Sequence, residues 1–176
     1  MGTEFRIPVE QIRDYLAKGW LTHDGMWFYH VCTDVGMEKA NTLNRAAIRS
    51  MAVLEVKRTR DILGFANRRI ESFDEIYDYL QKALDLLLPG SVRARLQIRA
   101  APPNVILWEW EEGECFAYKG IKLIGCIDRY TCGVMYRIGC WLDALQIEHR
   151  IDPVIHGCMM HEQGYCRGEI IINCDR

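Results

Sequence analysis

The chain has 176 residues, of which 49% are hydrophobic and 26% charged, and at this length a single domain can bury roughly two thirds of its unfolded surface. A membrane helix needs about 20 consecutive apolar residues, and no such run is present, so a membrane span is excluded. A formal net charge of −2 gives no attraction to nucleic acid, which we exclude as a partner. Residues 1–5 lack a positive stretch before an apolar core, which indicates a cytoplasmic protein.

The first helical signals follow residue 8. Apolar residues recur there at helical spacing, namely Ile12, Tyr15, Leu16 and Trp20. Thr22 can cap a second helix that has Asp24 in its first turn. We therefore predict a break in the chain direction near residue 21 and a new helix from Thr22.

Two stronger helix signals complete residues 8–88. The first is a core-facing stripe that Gly64 ends, and its members are Ala40, Leu43, Asn44, Ala47, Ile48, Met51 and Leu54. The second is a capping box, Ser72 with Glu75, which begins a helix that ends before Pro89. The first half of the chain is thus predicted to be helical.

The pattern changes to strict alternation over residues 92–100. The apolar members are Val92, Ala94, Leu96, Ile98 and Ala100, with polar residues, mostly arginines, between them. A second strand follows a turn at 101–104, with Trp108 and Trp110 on one face and Glu109 and Glu111 on the other. The arginine row could bind an anionic ligand, but cross-strand pairing with these glutamates is the favoured interpretation.

The rest of the chain predicts two more helices and a final β segment. The helices are expected over 114–124 and 130–145, and the β segment runs over 147–160, turns at 162–164 and returns over 168–172. We therefore predict one α+β domain over residues 1–176. Its helical half (8–88) precedes an antiparallel or mixed sheet with two further helices and a cysteine cluster (92–174).

Eight cysteines are many for a cytoplasmic chain, because thiols stay reduced there. Cys115 and Cys132 lie near predicted helix starts, where backbone N–H groups stabilise thiolates. Cys158 and Cys166 would face each other across a hairpin centred on Glu162. Spacing alone leaves open whether these four bind a metal or only pack, and packing or unpaired thiols is the interpretation for the others, Cys32, Cys126, Cys140 and Cys174.

If the four do bind a metal, zinc fits best, because thiolates are soft ligands and a closed four-thiolate shell is typical of structural zinc. His161 lies inside the predicted turn and is the alternative ligand to a cysteine. In such a closed shell the metal would stabilise the fold, and any activity would lie elsewhere.

The stretch from Cys132 to Cys166, with Cys158-Met-Met-His-Glu-Gln-Gly-Tyr-Cys166 and a closing apolar strand, resembles the end of the 4-vinyl reductase domain. That family includes the sensory domains of phenol-responsive transcription activators. The resemblance implies a zinc site beside a buried pocket for an aromatic ligand. It also implies one further ligand upstream, a place that Cys115 would fill, or less suitably Glu112 or Glu114.

A second resemblance covers nearly the whole chain. Its motifs are His23-Asp-Gly-Met-Trp27-Phe, Gly36-Met-Glu-Lys-Ala-Asn41, Cys115-Phe-Ala-Tyr-Lys-Gly120 and Gly157-Cys-Met-Met-His161. They are similar to a prokaryotic family found in anaerobes and archaea, some relatives of which are described as hydrolases of aminothiazoline carboxylate. The resemblance implies a possible enzyme, but it supplies no catalytic motif that can be transferred residue by residue.

One face of the predicted second helix carries His23, Trp27 and His30, at i, i+4 and i+7, with Asp24 beside them. Such a group could hold a polar ligand group or transfer protons. The favoured interpretation is structural, with His23 in the first turn and Trp27 as a core anchor.

These observations together predict a zinc-stabilised sensor-like or carrier-like domain that binds a small apolar or aromatic molecule and forms a homodimer, as related domains do. The expected pocket walls are aromatic: Trp27, Phe28, Trp108 and Trp110. One alternative is a hydrolase of a small heterocyclic or amide substrate, with His23, Asp24 or His30 as acid and base. Another is a structural subunit that only holds partners.

Overall fold

The computed structural model describes residues 6–101 and 103–173 and has the predicted α+β class. Its helices are α1 (Val9–Val35), α2 (Met37–Ile62), α3 (Phe73–Leu87), α4 (Gly90–Arg93), α5 (Phe116–Leu123), α6 (Gly133–Ala144) and α7 (Met159–Gln163). Its strands are β1 (Leu96–Ala101), β2 (Val105–Trp110), β3 (His149–Asp152) and β4 (Cys166–Ile172). Of the helices in the described ranges, none combines the length and the apolar character that crossing a membrane requires.

The entry segment is one continuous helix, so the predicted start at Thr22 is wrong. The Thr22 hydroxyl donates to the carbonyl oxygen of Lys18 at 2.9 Å, one turn back within the helix, and does not cap a new one. α1 ends instead at Gly36, whose φ of 86° favours glycine. The apolar residues that recur at helical spacing in α1 are not buried, since Tyr15 and Leu16 are 79% and 63% exposed.

α3 follows its sequence signal closely, whereas α2 forms where it was expected but buries a different face. The predicted capping box is confirmed, since the Glu75 N–H donates to Ser72 Oγ at 3.2 Å and the Glu75 side chain accepts from the Ser72 N–H. The core face of α2 is rotated from the predicted one, and Leu43 and Leu54 are exposed. The buried members of α2 are Met37, Ala40, Ala52, Glu55, Val56 and Thr59.

The four strands form one antiparallel sheet in the order β1-β2-β4-β3. The predicted hairpin is confirmed, although its first strand begins at Leu96, because residues 90–93 form the short helix α4. Arg95 pairs with Glu111 at 2.7 Å and Arg99 with Glu109 at 3.9 Å. These two arginines of the row are therefore paired across the strands, as the favoured interpretation held.

The last hairpin predicted from sequence is wrong. Residues 159–163 form α7, and Gly164 then adopts a left-handed conformation at φ 79° before β4 begins. β4 pairs with β2 and β3 instead, so that Trp110 lies opposite Cys166 and Ile106 opposite Ile170. Cys158 therefore precedes a helix and does not face Cys166 across two strands.

Candidate ligand cavity and cysteine cluster

A cavity of about 630 Å³ lies between α1 and the inner face of the sheet. Helices α2, α3, α5 and α6 also contribute to its walls, which are mostly apolar. The sheet side presents Ile106, Trp108 and Trp110, all nearly inaccessible to solvent. The alternation of β2 explains this, because every second side chain of that strand points to the inner face.

Three of the four expected aromatic wall residues line this cavity, namely Phe28, Trp108 and Trp110. Phe28 is buried and packs edge-on against Tyr130 at 5.7 Å between ring centroids. Trp27 is 66% exposed and lies outside the cavity lining. Its interpretation as a core anchor is wrong, because an uninterrupted α1 turns Phe28, and not Trp27, toward the interior.

The residues of the acid–base group expected on α1 do not lie together in the structure. Asp24 lines the cavity; the residue as a whole is exposed, but the protein around its carboxyl removes enough water to raise the pKa of that group. His23 is exposed and stacks on Trp20 at 6.1 Å, and His30 is exposed against Tyr29. The two histidines are therefore not brought into the cavity beside Asp24.

A buried charged network that the sequence did not reveal forms another part of the wall. Glu55, 5% exposed, accepts a hydrogen bond from Trp141 Nε1 at 2.9 Å and binds the guanidinium of Arg137 through both carboxylate oxygens. The residues come from α2 and α6, 82 positions apart. One available signal was spacing, since Glu55 extends the helical row of Ile48 and Met51 along α2.

Three of the four cluster cysteines occupy equivalent positions. Cys115, Cys132 and Cys158 are the N-cap residues of α5, α6 and α7. None forms a capping hydrogen bond of normal length, but the N–H groups two and three residues later lie close enough to lower each thiol's pKa. These N–H groups act in the direction expected for Cys115 and Cys132, but burial outweighs them and the pKa of each of the three thiols is raised.

Cys166 begins β4 on the inner face of the sheet, opposite Trp110. Burial raises the pKa of all four thiols, that of Cys115 to about 12. The other three thiols further raise the pKa of Cys166, so the four form one neighbourhood. As they stand, however, no three His, Cys, Asp or Glu side chains in the described ranges are arranged to hold a metal ion.

The alternative ligands lie less favourably than the thiols. The Nε2 atom of His161 is 3.0 Å from Asp128 Oδ1, so this ring pairs with a surface carboxylate. Glu114 binds Lys119 at 2.9 Å, which lowers the pKa of its carboxyl, and Glu112 is exposed. Cys115 is the upstream donor that shares the buried neighbourhood of the other cysteines.

Residues 7–115 match the model of a family of unknown function, DUF6125. The match covers more than half of the chain. The chain belongs to this family. No curated protein matches it.

The DUF6125 match includes α1 to α4, the first two strands and Cys115. It therefore contains Asp24 and Glu55 of the cavity wall, while Arg137, Cys132, Cys158 and Cys166 lie beyond it. Both the cavity and the cysteine neighbourhood are thus assembled from the matched segment and from the helices and strands that follow it.

The remaining cysteines of this DUF6125 protein lie apart from the cluster. Cys140 is buried on α6, and Cys32 and Cys126 are half-buried with their sulfur atoms 3.4 Å apart. The three are free thiols, and Cys32 and Cys126 are neighbours, which their sequence positions do not indicate. Cys174 lies outside the described residues.

Proposed function

We propose that this protein binds a small apolar or aromatic molecule in the cavity beneath α1, as a sensor-like or carrier-like domain. The observation that supports this proposal is the cavity itself, since its volume of about 630 Å³ is within the usual range for small-molecule sites. Apolar walls with a few polar groups on one side are also typical of such sites. The resemblance to the 4-vinyl reductase domain supports the same kind of ligand.

A neutral fluorescent probe, N-phenyl-1-naphthylamine, tests this proposal by titration. Gly120 of α5 lines the cavity and has no atom within 4 Å of an added Cβ, so Gly120→Phe should fill the space and weaken probe binding at least tenfold. Gly19→Phe is the matched control, because Gly19 is a helical glycine with equally open surroundings that lies outside the cavity lining. Equal binding by both variants, or no binding by the unmodified protein, would contradict the proposal.

Zinc held by Cys115, Cys132, Cys158 and Cys166 is the proposed stabilising cofactor. Thiolates are suitable zinc ligands, and a cation among them would offset the burial that raises the pKa of all four thiols. Binding would require the four side chains to rearrange, because no group of three possible ligands among the described residues is arranged to hold a metal ion. The ion would tie α5, α6, α7 and β4 to one point next to Trp110.

Metal analysis of the purified protein tests the cofactor. We expect close to one equivalent of zinc, and a loss of most of it in Cys158→Ser. Cys140→Ser is the matched control, since Cys140 is similarly buried but lies on α6 away from the cluster. A metal-free protein, or the same zinc content in both variants, would refute the four-cysteine site.

We also place the protein in the cytoplasm, because the cysteines among the described residues are free thiols and a reducing compartment keeps thiols in this state.

The second proposal is a homodimer formed through α1. The observation that supports the dimer is the outer surface of α1, where large apolar side chains remain exposed. Exposed apolar patches often mark surfaces that bind another protein. Tyr15→Glu should convert a dimer to a monomer in light scattering, because Tyr15 is 79% exposed and lies outside the cavity lining. A monomeric unmodified protein would rule this out.

A further inference from the structure

We propose that the ligand of the cavity carries one cationic group, of the class of a protonated amine, and that Asp24 binds it. This inference rests on the proposed function, since it concerns the ligand of the same cavity. It specifies what the apolar walls leave open, namely the polar group of the ligand and its charge.

The charged residues of the lining are few, and the two arginines among them are already paired. Arg13 binds Asp14 at 2.8 Å, and Arg137 binds Glu55 through two nitrogens. Asp24 is the remaining charged residue of the lining. Across the described parts of the chain it has no basic partner within ion-pair distance.

Asp24 and the acidic and basic groups that act on it together carry a net negative charge. Arg137, Glu55 and His23 are the charged or titratable groups that act on it, from α6, α2 and α1 itself. Glu55 and Arg137 neutralise each other as a pair, so the carboxylate of Asp24 is left with no balancing guanidinium. Arg13 does not change this balance, because it is eleven residues away on α1, about 16 Å along the helix.

An anionic ligand is disfavoured by the same arrangement. The guanidinium of Arg137 is directed at Glu55, and an anion approaching it would also meet the carboxylates of Asp24 and Glu55. A cation bound in the cavity would instead meet the opposite charge of Asp24 at a mostly apolar wall, where attraction is less screened than in water. It would also relieve the burial penalty on the ionised form of Asp24.

Three ten-carbon probes of nearly equal size separate the contributions of apolar body and charge: decylammonium, decanol and decanoate. Each is titrated at pH 8 against bound N-phenyl-1-naphthylamine. We expect decylammonium to bind about tenfold more tightly than decanol, and decanoate to bind more weakly than both. Asp24→Asn should remove the advantage of decylammonium over decanol, whereas Asp34→Asn, which replaces an exposed acid on the same helix outside the lining, should keep that advantage.

The outcomes distinguish this inference from the proposed function. If none of the three probes displaces the dye and the dye itself does not bind, the cavity is not a ligand site and both proposals fail. If decanol binds but decylammonium shows no advantage, or if the advantage survives Asp24→Asn, the assignment of Asp24 is overturned while the apolar site stands. Tighter binding of decanoate than of decylammonium would reverse the charge assignment.

Discussion

Replacing Arg137 with methionine would leave the buried carboxylate of Glu55 with the indole N–H of Trp141 as its one remaining partner among the described residues. Methionine keeps much of the apolar stem of arginine, so the loss is mainly that of the charge and of its two hydrogen bonds. Glu55 is only 5% exposed and cannot recover them from water.

The expected cost follows from burial. Breaking a buried ion pair from one side costs roughly 3–5 kcal/mol, because an uncompensated charge remains. The Arg137 side chain is 24% exposed, which places this pair at the lower end, at about 3 kcal/mol. The double variant Glu55→Leu/Arg137→Met removes both charges and should cost about 1–2 kcal/mol, because apolar replacement of buried pairs is often neutral but the Trp141 indole N–H loses its acceptor.

Urea unfolding followed by far-ultraviolet circular dichroism measures the free energy of unfolding of both variants, provided that the slope of this free energy against urea concentration is the same for each. Arg99→Met is the control, because its pair with Glu109 is long and exposed and should contribute no more than about 0.5 kcal/mol. If Arg137→Met cost no more than this control, Glu55 would not be the buried, arginine-dependent carboxylate that the structure shows.

Three further outcomes are expected. Gly168→Ala should lower the free energy of unfolding by about 1–3 kcal/mol, because an added Cβ would collide with the carbonyl oxygen of Asp152 and lie 2.9 Å from the Trp108 ring; an unchanged urea midpoint would contradict this packing. Mild oxidation with diamide should first join Cys32 to Cys126, whose sulfur atoms are 3.4 Å apart, and peptide mapping that finds another first linkage would refute it. Asp24→Asn should raise the melting temperature at pH 7. Burial raises the folded-state pKa of this carboxyl above its ordinary 3.8, so stability is lost as pH rises from 3.8 through the folded-state pKa and the carboxyl ionises. The gain in melting temperature should therefore vanish near pH 3, where the carboxyl is protonated in both states.

Sequence patterns predicted the secondary structure correctly where it depends on interactions between residues that are close in the chain. The Ser72 box began α3 as predicted, because capping involves only four consecutive residues. The alternation around Trp108 gave the hairpin and the paired arginines, because period-two patterns reflect one buried face. Thr22 misled, since a helix N-cap residue is equally able to bond one turn back within a helix.

The sequence by itself determined the α+β class, most element positions and the residue types able to bind a metal or wall an apolar pocket. Only the tertiary structure decided that Glu55 meets Arg137, that Cys115 lies near Cys166, and that Asp24 lines the cavity while His23 does not. The reason is that these arrangements depend on how whole helices pack and rotate. That packing is set by the sum of many distant contacts and leaves no periodic trace in the chain.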